Sequence, residues 1–278
     1  MTTTTITAAE INKLRQMTGA GMMDCKKALT EAGGDFEKAI DELRKKGQKV
    51  AANRSDRDAK EGFVLAGTSK DNKRGVVLAV NCETDFVAKN EDFGKMVGRM
   101  LDIAITNSPK TIEDLRALSF DGKLTIADKL IEQTGVIGEK IELNKYDVVE
   151  APFVIAYNHP GNRLANIVGF SASTVDAEVS KDVAMQVAAM APVAVDKGDV
   201  DAETIQREIE VGKEQARQEG KAEDMLEKIA LGKLNKFYKE STLLNQEFIK
   251  DNKKTIAQYL NDSQKGLTVT GFKRIALA

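Results

Sequence analysis

Cys25, Cys82 and His159 are all the thiol and imidazole chemistry that the 278 residues contain. Nucleophilic catalysis of the Ser-His or Cys-His kind could draw only on His159, which stands in the turn-like run Asn158-His159-Pro160-Gly161-Asn162. An exposed turn histidine is the ordinary reading of such a run. A structural zinc site needs closely spaced ligand pairs, and these three residues offer none, so no metal is expected. The cysteines lie far apart, which builds no disulfide framework, suits a reducing compartment and leaves both as small hydrophobes.

Nucleotide chemistry is argued against in the same way. Gly19-Ala20-Gly21 before a helical run invites comparison with a dinucleotide-binding fingerprint, but that fingerprint needs a preceding strand and a third glycine. Here a helix precedes, and position 24 is Asp24. The sequence has no Gly-x-x-x-x-Gly-Lys-Ser/Thr run, so neither a P-loop nor direct nucleotide binding is expected. Carboxylates are interspersed with Lys and Arg along helix faces, the pattern of solvated charge. No cofactor is expected, and covalent catalysis is the weaker hypothesis.

Three runs keep functional potential. Asn81-Cys82-Glu83-Thr84-Asp85-Phe86-Val87-Ala88-Lys89-Asn90 falls between a strand and a helix, where loops often carry function. On the residues alone Asp85 also reads as a local cap and Phe86 as a packing or staple residue, the commoner fate of such an aromatic. Met22-Met23 is similarly open: adjacent helical residues do not share one core, which leaves one as an adaptable exposed contact. The basic stretch Arg44 to Arg57 could touch RNA, yet it includes Asp56 and lacks interleaved aromatics, so a solvated linker is favoured.

The elements that must position these residues follow from composition and periodicity. The chain is long enough for about two compact domains. With 42% hydrophobic and 30% charged residues, it matches neither a disordered tail nor a membrane protein. The net charge of −2 and pI of about 5.8 lack the positive field of a general nucleic-acid binder. No apolar run approaches the roughly 20 residues of a spanning helix, and Met1 to Ile6 lacks a basic region followed by an apolar stretch. A cytoplasmic protein with no membrane partner is expected.

Thr7-Ala8-Ala9-Glu10 fits a capping box and opens a first helix with Ile11 and Leu14 on one face. A second helix turns Cys25, Ala28 and Leu29 inward and ends at Gly33-Gly34. Asp35 caps a third, with Phe36, Ala39, Ile40 and Leu43 as its stripe, expected to stop at Gly47 after a basic last turn. Strands are expected at 63–67 and 76–82 around a turn, then a helix with Phe93, Met96, Val97, Met100, Leu101 and Ala104 inward, and shorter helices near 111–118 and 125–134. The pattern then repeats, with strands near 141–150, 153–158 and 164–172 and a helix near 176–190 carrying Val183, Val187 and Ala188. Residues 202–239 read as a charged helical hairpin around Gly220, with Ile205, Ile209 and Ala216 facing Leu226, Ile229, Leu234 and Phe237. A helix near 254–261 and a strand from Leu267 to Ile275 close the chain.

Thr18-Gly19-Ala20-Gly21-Met22-Met23-Asp24-Cys25-Lys26-Lys27-Ala28-Leu29, followed by Gly34-Asp35, resembles the amino-terminal signature of the translation elongation factor Ts family. Asn81-Cys82-Glu83-Thr84-Asp85-Phe86-Val87-Ala88 resembles another of its signatures. Tyr157-x-His159-Pro160-Gly161-Asn162-Arg163 and the charged hairpin follow in family order, extending the resemblance along essentially the whole chain. It implies an α+β protein with an N-terminal three-helix module of the ubiquitin-associated type at 1–50 and a linker at 51–61. A core of two α+β subdomains with antiparallel sheets follows at 62–140 and 141–278, the second carrying an inserted antiparallel coiled-coil hairpin at about 200–239.

The resemblance also implies a function, guanine-nucleotide exchange on elongation factor Tu without covalent chemistry. The loop Thr84, Asp85, Phe86 and Val87 would enter beside the partner's magnesium site, and Met22, Met23 and Lys26 would grip its nucleotide-binding domain. Ile137, His159 and Ile249 would complete the contact surface. The implied partner is elongation factor Tu, GDP-bound or nucleotide-free, with no specific nucleic acid. The hairpin suggests pairing with a second copy. Better-known relatives extend into a further helix that touches the partner, whereas this chain ends at Ala278, so that contact is not expected. The competing readings are an RNA- or ribosome-associated adaptor using the N-terminal module and, more distantly, an enzyme working around His159.

Overall fold

The computed structural model describes residues 6–277; residues 1–5, which entered the reading for a targeting signal, and residue 278 lie outside them. Divided by internal contacts, the chain forms two units. One holds the residues up to Leu65 together with Leu78–Tyr146 and the end from Ala276, and the other holds Ala66–Val77 with Asp147–Ile275. Its helices and antiparallel strands make it an α+β protein.

The first unit opens with α1 (Ala8–Thr18), α2 (Met22–Glu31) and α3 (Phe36–Asn53). The capping box forms: Thr7 Oγ1 accepts from the Glu10 amide, and the Glu10 carboxylate accepts from the Thr7 amide at 2.7 Å. Ile11, Leu14, Cys25, Ala28, Leu29 and Ala39 make the buried centre, with Phe36, Ile40, Leu43 and Val136 packed against it. The third helix departs from expectation by running through Gly47 to Asn53. Gly47 does not stop it because it serves a packing contact. A Cβ on Gly135 would lie 2.5 Å from the Gly47 Cα, so two glycines let α3 and α7 (Ile126–Ile137) touch backbone to backbone.

The strands β1 (Glu61–Thr68), β2 (Arg74–Cys82) and β3 (Glu142–Glu150) form one sheet in the order β1-β2-β3. This corrects the expectation that the strand near 141–150 opens the second sheet. Its weakly alternating burial is that of an edge strand, which carries little signal of the sheet it joins. Between β2 and α7 lie a single turn, α4 (Asp85–Ala88), then α5 (Glu91–Asn107) and α6 (Ile112–Ala117). Asn90 caps α5 by accepting from the Asp92 and Phe93 amides. All six residues expected on its inner face are buried, and Gly94 lets the Phe63 ring approach.

In the second unit β4 (Phe153–Asn158) pairs antiparallel with β5 (Leu164–Phe170), Phe153 opposite Phe170 and Asn158 opposite Ala165. The strand β8 (Val269–Ala276) completes the order β4-β5-β8. The helix α8 (Ala177–Met190) buries Val179, Val183 and Val187 against a core that includes Val168, Phe170, Leu243, Ile256 and Leu260. Helices α9 (Ala202–Gln218) and α10 (Leu226–Ser241) form the hairpin, with Ala216, Leu226, Ala230 and Leu234 buried and Gly212 set against Ala230. A short ladder of β6 (Glu247–Phe248) and β7 (Asp251–Thr255), absent from the sequence reading, precedes α11 (Ile256–Ser263).

The glycine contact gives a direct test. Gly135→Ala should lower stability by about 1–3 kcal/mol through overpacking, whereas Gly98→Ala in α5, with nothing within 4 Å of the added carbon, should raise it by about 0.4–1 kcal/mol. Thermal unfolding of the two variants would show opposite shifts; equal shifts would mean that α3 and α7 do not meet there.

Candidate functional site

The loop after β2 has little to hold it from within. A helix of one turn fixes several backbone angles for very few hydrogen bonds, and α4 has no side-chain cap bond at its N-cap, Thr84. That hydroxyl is committed elsewhere, donating to Glu139 Oε1 at 2.6 Å. Glu139 follows Gly138, whose left-handed φ of 81° ends α7. Its other carboxylate oxygen accepts from the Glu83 amide at 3.1 Å and the Thr84 amide at 3.0 Å.

The arrangement is reciprocal. Glu83 accepts the Lys140 amide at 2.7 Å and two bonds from the Arg54 guanidinium at 2.7 and 2.9 Å. The Lys140 ammonium donates to the Ser55 and Arg57 carbonyls at 3.0 and 3.2 Å. Burial pushes the Glu83 carboxyl upward, but the Lys140 amide and the Arg54 guanidinium outweigh it and leave it below its ordinary value. Cys82, next in line, donates its thiol to the Thr84 carbonyl at 3.1 Å. Burial, reinforced by the Glu139 charge, pushes that thiol up to about 12, where it is an inert hydrophobe at neutral pH.

What this scaffold presents is Phe86, 83% exposed. Neither packing nor stapling explains a side chain left so far in water, so the structure decides against the commoner role for an aromatic. Asp85 is not the cap either; Lys89 Nζ bonds its carboxylate at 2.6 Å and holds it below its ordinary value. Beside them an open groove is lined by Met17, Val87, Phe93, Met96 and Ile137, so the structure brings Phe86, Val87 and Ile137 together. On α2 both Met22 and Met23 are exposed, at 51% and 75%, where the residues alone pointed to one exposed contact. Cys25, Ala28 and Leu29 already fill its inner face, and Lys26 is exposed with the two methionines.

In the second unit His159 is exposed in its turn, its Nδ1 3.1 Å from the Tyr157 hydroxyl. Ile249 stands 46% exposed where β6 turns into β7. Its amide donates to Oε1 of the buried Gln186 at 3.0 Å. The neighbouring Lys250 reaches the buried Asp182 at 2.7 Å, and Tyr259 donates its hydroxyl to the same carboxylate. Sequence reasoning missed these supports, as it missed Glu139 and Arg54, because each acts on a loop distant in sequence.

Among the described residues no group of three or more His, Cys, Asp or Glu side chains is placed to hold a metal ion, and no helix is long and apolar enough to cross a membrane. Phe86 and Ile249 are thus exposed apolar side chains on short turns, and Met22 and Met23 are exposed on α2. A family model described as "Elongation factor TS" matches residues 83–278. The chain is 54% identical to "Elongation factor Ts" of Flavobacterium psychrophilum over 98% of this chain and 99% of that one. It is 54% identical to that of Christiangramia forsetii over 98% of each, and 45% identical to that of Chloroherpeton thalassium over 95% and 94%. The chain belongs to the elongation factor Ts family, a family of protein biosynthesis acting in translation elongation.

Two outcomes follow from the geometry. Phe86→Ala should change stability by no more than about 0.5 kcal/mol, the range of exposed positions; a large fall in melting temperature would place Phe86 in a core. Glu83 has a folded pKa below its unfolded value near 4.5. Its stabilisation is therefore full above that pH and fades as pH falls through the depressed folded value. Acid titration of unfolding should show the advantage of wild type over Glu83→Gln shrinking below about pH 4.5, and a constant difference would contradict the assignment.

Proposed function

We propose that this chain releases GDP from elongation factor Tu by binding a geometry of its nucleotide site that GDP and magnesium disfavour. The observation that carries the reading is Phe86, an aromatic held almost wholly in water on a turn whose backbone is pinned from behind. Thr84, Asp85, Phe86 and Val87 enter the partner, and Phe86 gains roughly 1.5–3 kcal/mol of burial that it lacks in the free chain. Magnesium demands near-ideal geometry, so a small displacement of the partner's helices degrades its site. A partner that weakens GDP is itself weakened by GDP to the same factor, and no bond is made or broken in this chain.

Met22, Met23 and Lys26 on the outer face of α2 supply a second contact, adaptable because methionine side chains repack easily. Ile137 in the first unit and His159 and Ile249 in the second supply further contacts. We read the three N-terminal helices as a module of the ubiquitin-associated type and the α9–α10 hairpin as a coiled coil available to a second copy.

The test mixes the purified chain with elongation factor Tu carrying fluorescent GDP and follows release. Phe86→Ala should slow release roughly ten- to a hundredfold, the burial term converted to rate, with Asp85→Ala acting in the same direction. The double variant should lose less than the two singles combined, since both residues belong to one loop. No acceleration by wild type at micromolar concentration would overturn the proposal.

A further inference from the structure

We infer that Glu139 is a positioning residue for the exchange loop, setting the direction in which Phe86 points without itself touching the partner. The inference rests on the exchange reading above and adds to it a residue outside the loop. A wedge works only if it resists being pushed back, and α4 supplies almost no resistance. It has four residues and no side-chain bond at its N-cap, and its central side chain is in solvent.

The direction of α4 must therefore be fixed at the residues entering it. Those residues, Glu83 and Thr84, give three donors to one carboxylate, that of Glu139. Glu139 is in turn fixed on both sides, by the left-handed Gly138 before it and by the Lys140 amide bonded to Glu83 after it. Two chain segments are thus cross-pinned by two carboxylates, and the Arg54 guanidinium on Glu83 offsets the charge gathered there.

Arg54 gives the ring a longer reach. It directly follows α3, which also packs on α7 through Gly47 and Gly135. The loop bearing Phe86 and the helix bearing Met22 and Met23 belong to one unit, and the bonds among Arg54, Glu83, Glu139 and Lys140 join the entry of the loop to the exit of α3. Force on Phe86 is then met by the α3–α7 pair rather than absorbed by one turn of helix, and binding free energy is spent on the partner's nucleotide site.

The experiment uses the full chain with Glu139→Ala, Glu139→Gln and Thr84→Val, each alone and combined with Phe86→Ala. Release of fluorescent GDP from elongation factor Tu, thermal unfolding, and hydrogen exchange at the Glu83 and Thr84 amides are measured. Glu139→Ala should slow release roughly ten- to a hundredfold, the usual effect of a small misplacement, and speed exchange at both amides. Glu139→Gln should restore most of the rate: its amide oxygen accepts the two backbone donors and its NH2 donates to a Thr84 hydroxyl that turns round. Thr84→Val, which removes one bond of three, should fall between. Adding Phe86→Ala to Glu139→Ala should change little, since a misdirected wedge has little left to lose.

Wild-type release in Glu139→Ala beside slow release in Phe86→Ala would overturn the inference. So would losses that multiply independently, or Glu139→Gln failing as badly as Glu139→Ala, which would make the charge itself a partner contact. Should wild type release no GDP, the exchange reading fails, while amide exchange at Glu83 and Thr84 still reports whether Glu139 orders the loop.

Discussion

The loop bearing Phe86 depends on a pair of carboxylates that exchange backbone amides: Glu139 takes those of Glu83 and Thr84, and Glu83 takes that of Lys140. Charge-assisted bonds of this kind are stronger than neutral ones, and here they act between residues that the sequence separates widely. They let a four-residue helix stand at the end of β2 with its aromatic side chain in water. A phenylalanine so exposed contributes little to the stability of the free chain. On the proposed exchange reading, its burial is free energy held back for the partner.

The second unit repeats the device in different chemistry. The turn bearing Ile249 is held by Gln186, whose amide oxygen accepts the Ile249 amide while its NH2 donates to the Glu247 carbonyl. Asp182 fixes the next residue through Lys250. Both supports lie buried on α8, where a polar side chain is tolerated only if it is bonded. In each unit an exposed apolar residue sits on a short turn whose geometry is set by a buried or half-buried polar side chain from another element.

Much of this was legible in the sequence, for physical reasons that differ by element. The caps at Thr7 and Asp35 and the inner faces of α2, α5 and α8 are local, since hydrogen bonding within a turn and the helical period decide them. The end of α3 was not, because a glycine that usually stops a helix is here a packing surface for Gly135. The sheet that β3 joins depends on pairing that no local pattern records. Asp85-Phe86 could be singled out from its place between strand and helix, but composition argued for packing, and only the exposure of the ring removes Phe86 from the core. The ring of Arg54, Glu83, Glu139 and Lys140 had no local signature at all, being four ordinary charged residues until the fold assembles them.

The central claim is thermodynamic, that this chain and GDP compete through the geometry of the partner's nucleotide site. Titrating the chain against nucleotide-free elongation factor Tu and against the GDP-bound form, with magnesium held constant, tests it most directly. The account predicts much tighter binding to the nucleotide-free form, by the same factor as the chain weakens GDP, with most of that factor lost in Phe86→Ala. Equal affinity for the two forms would contradict it.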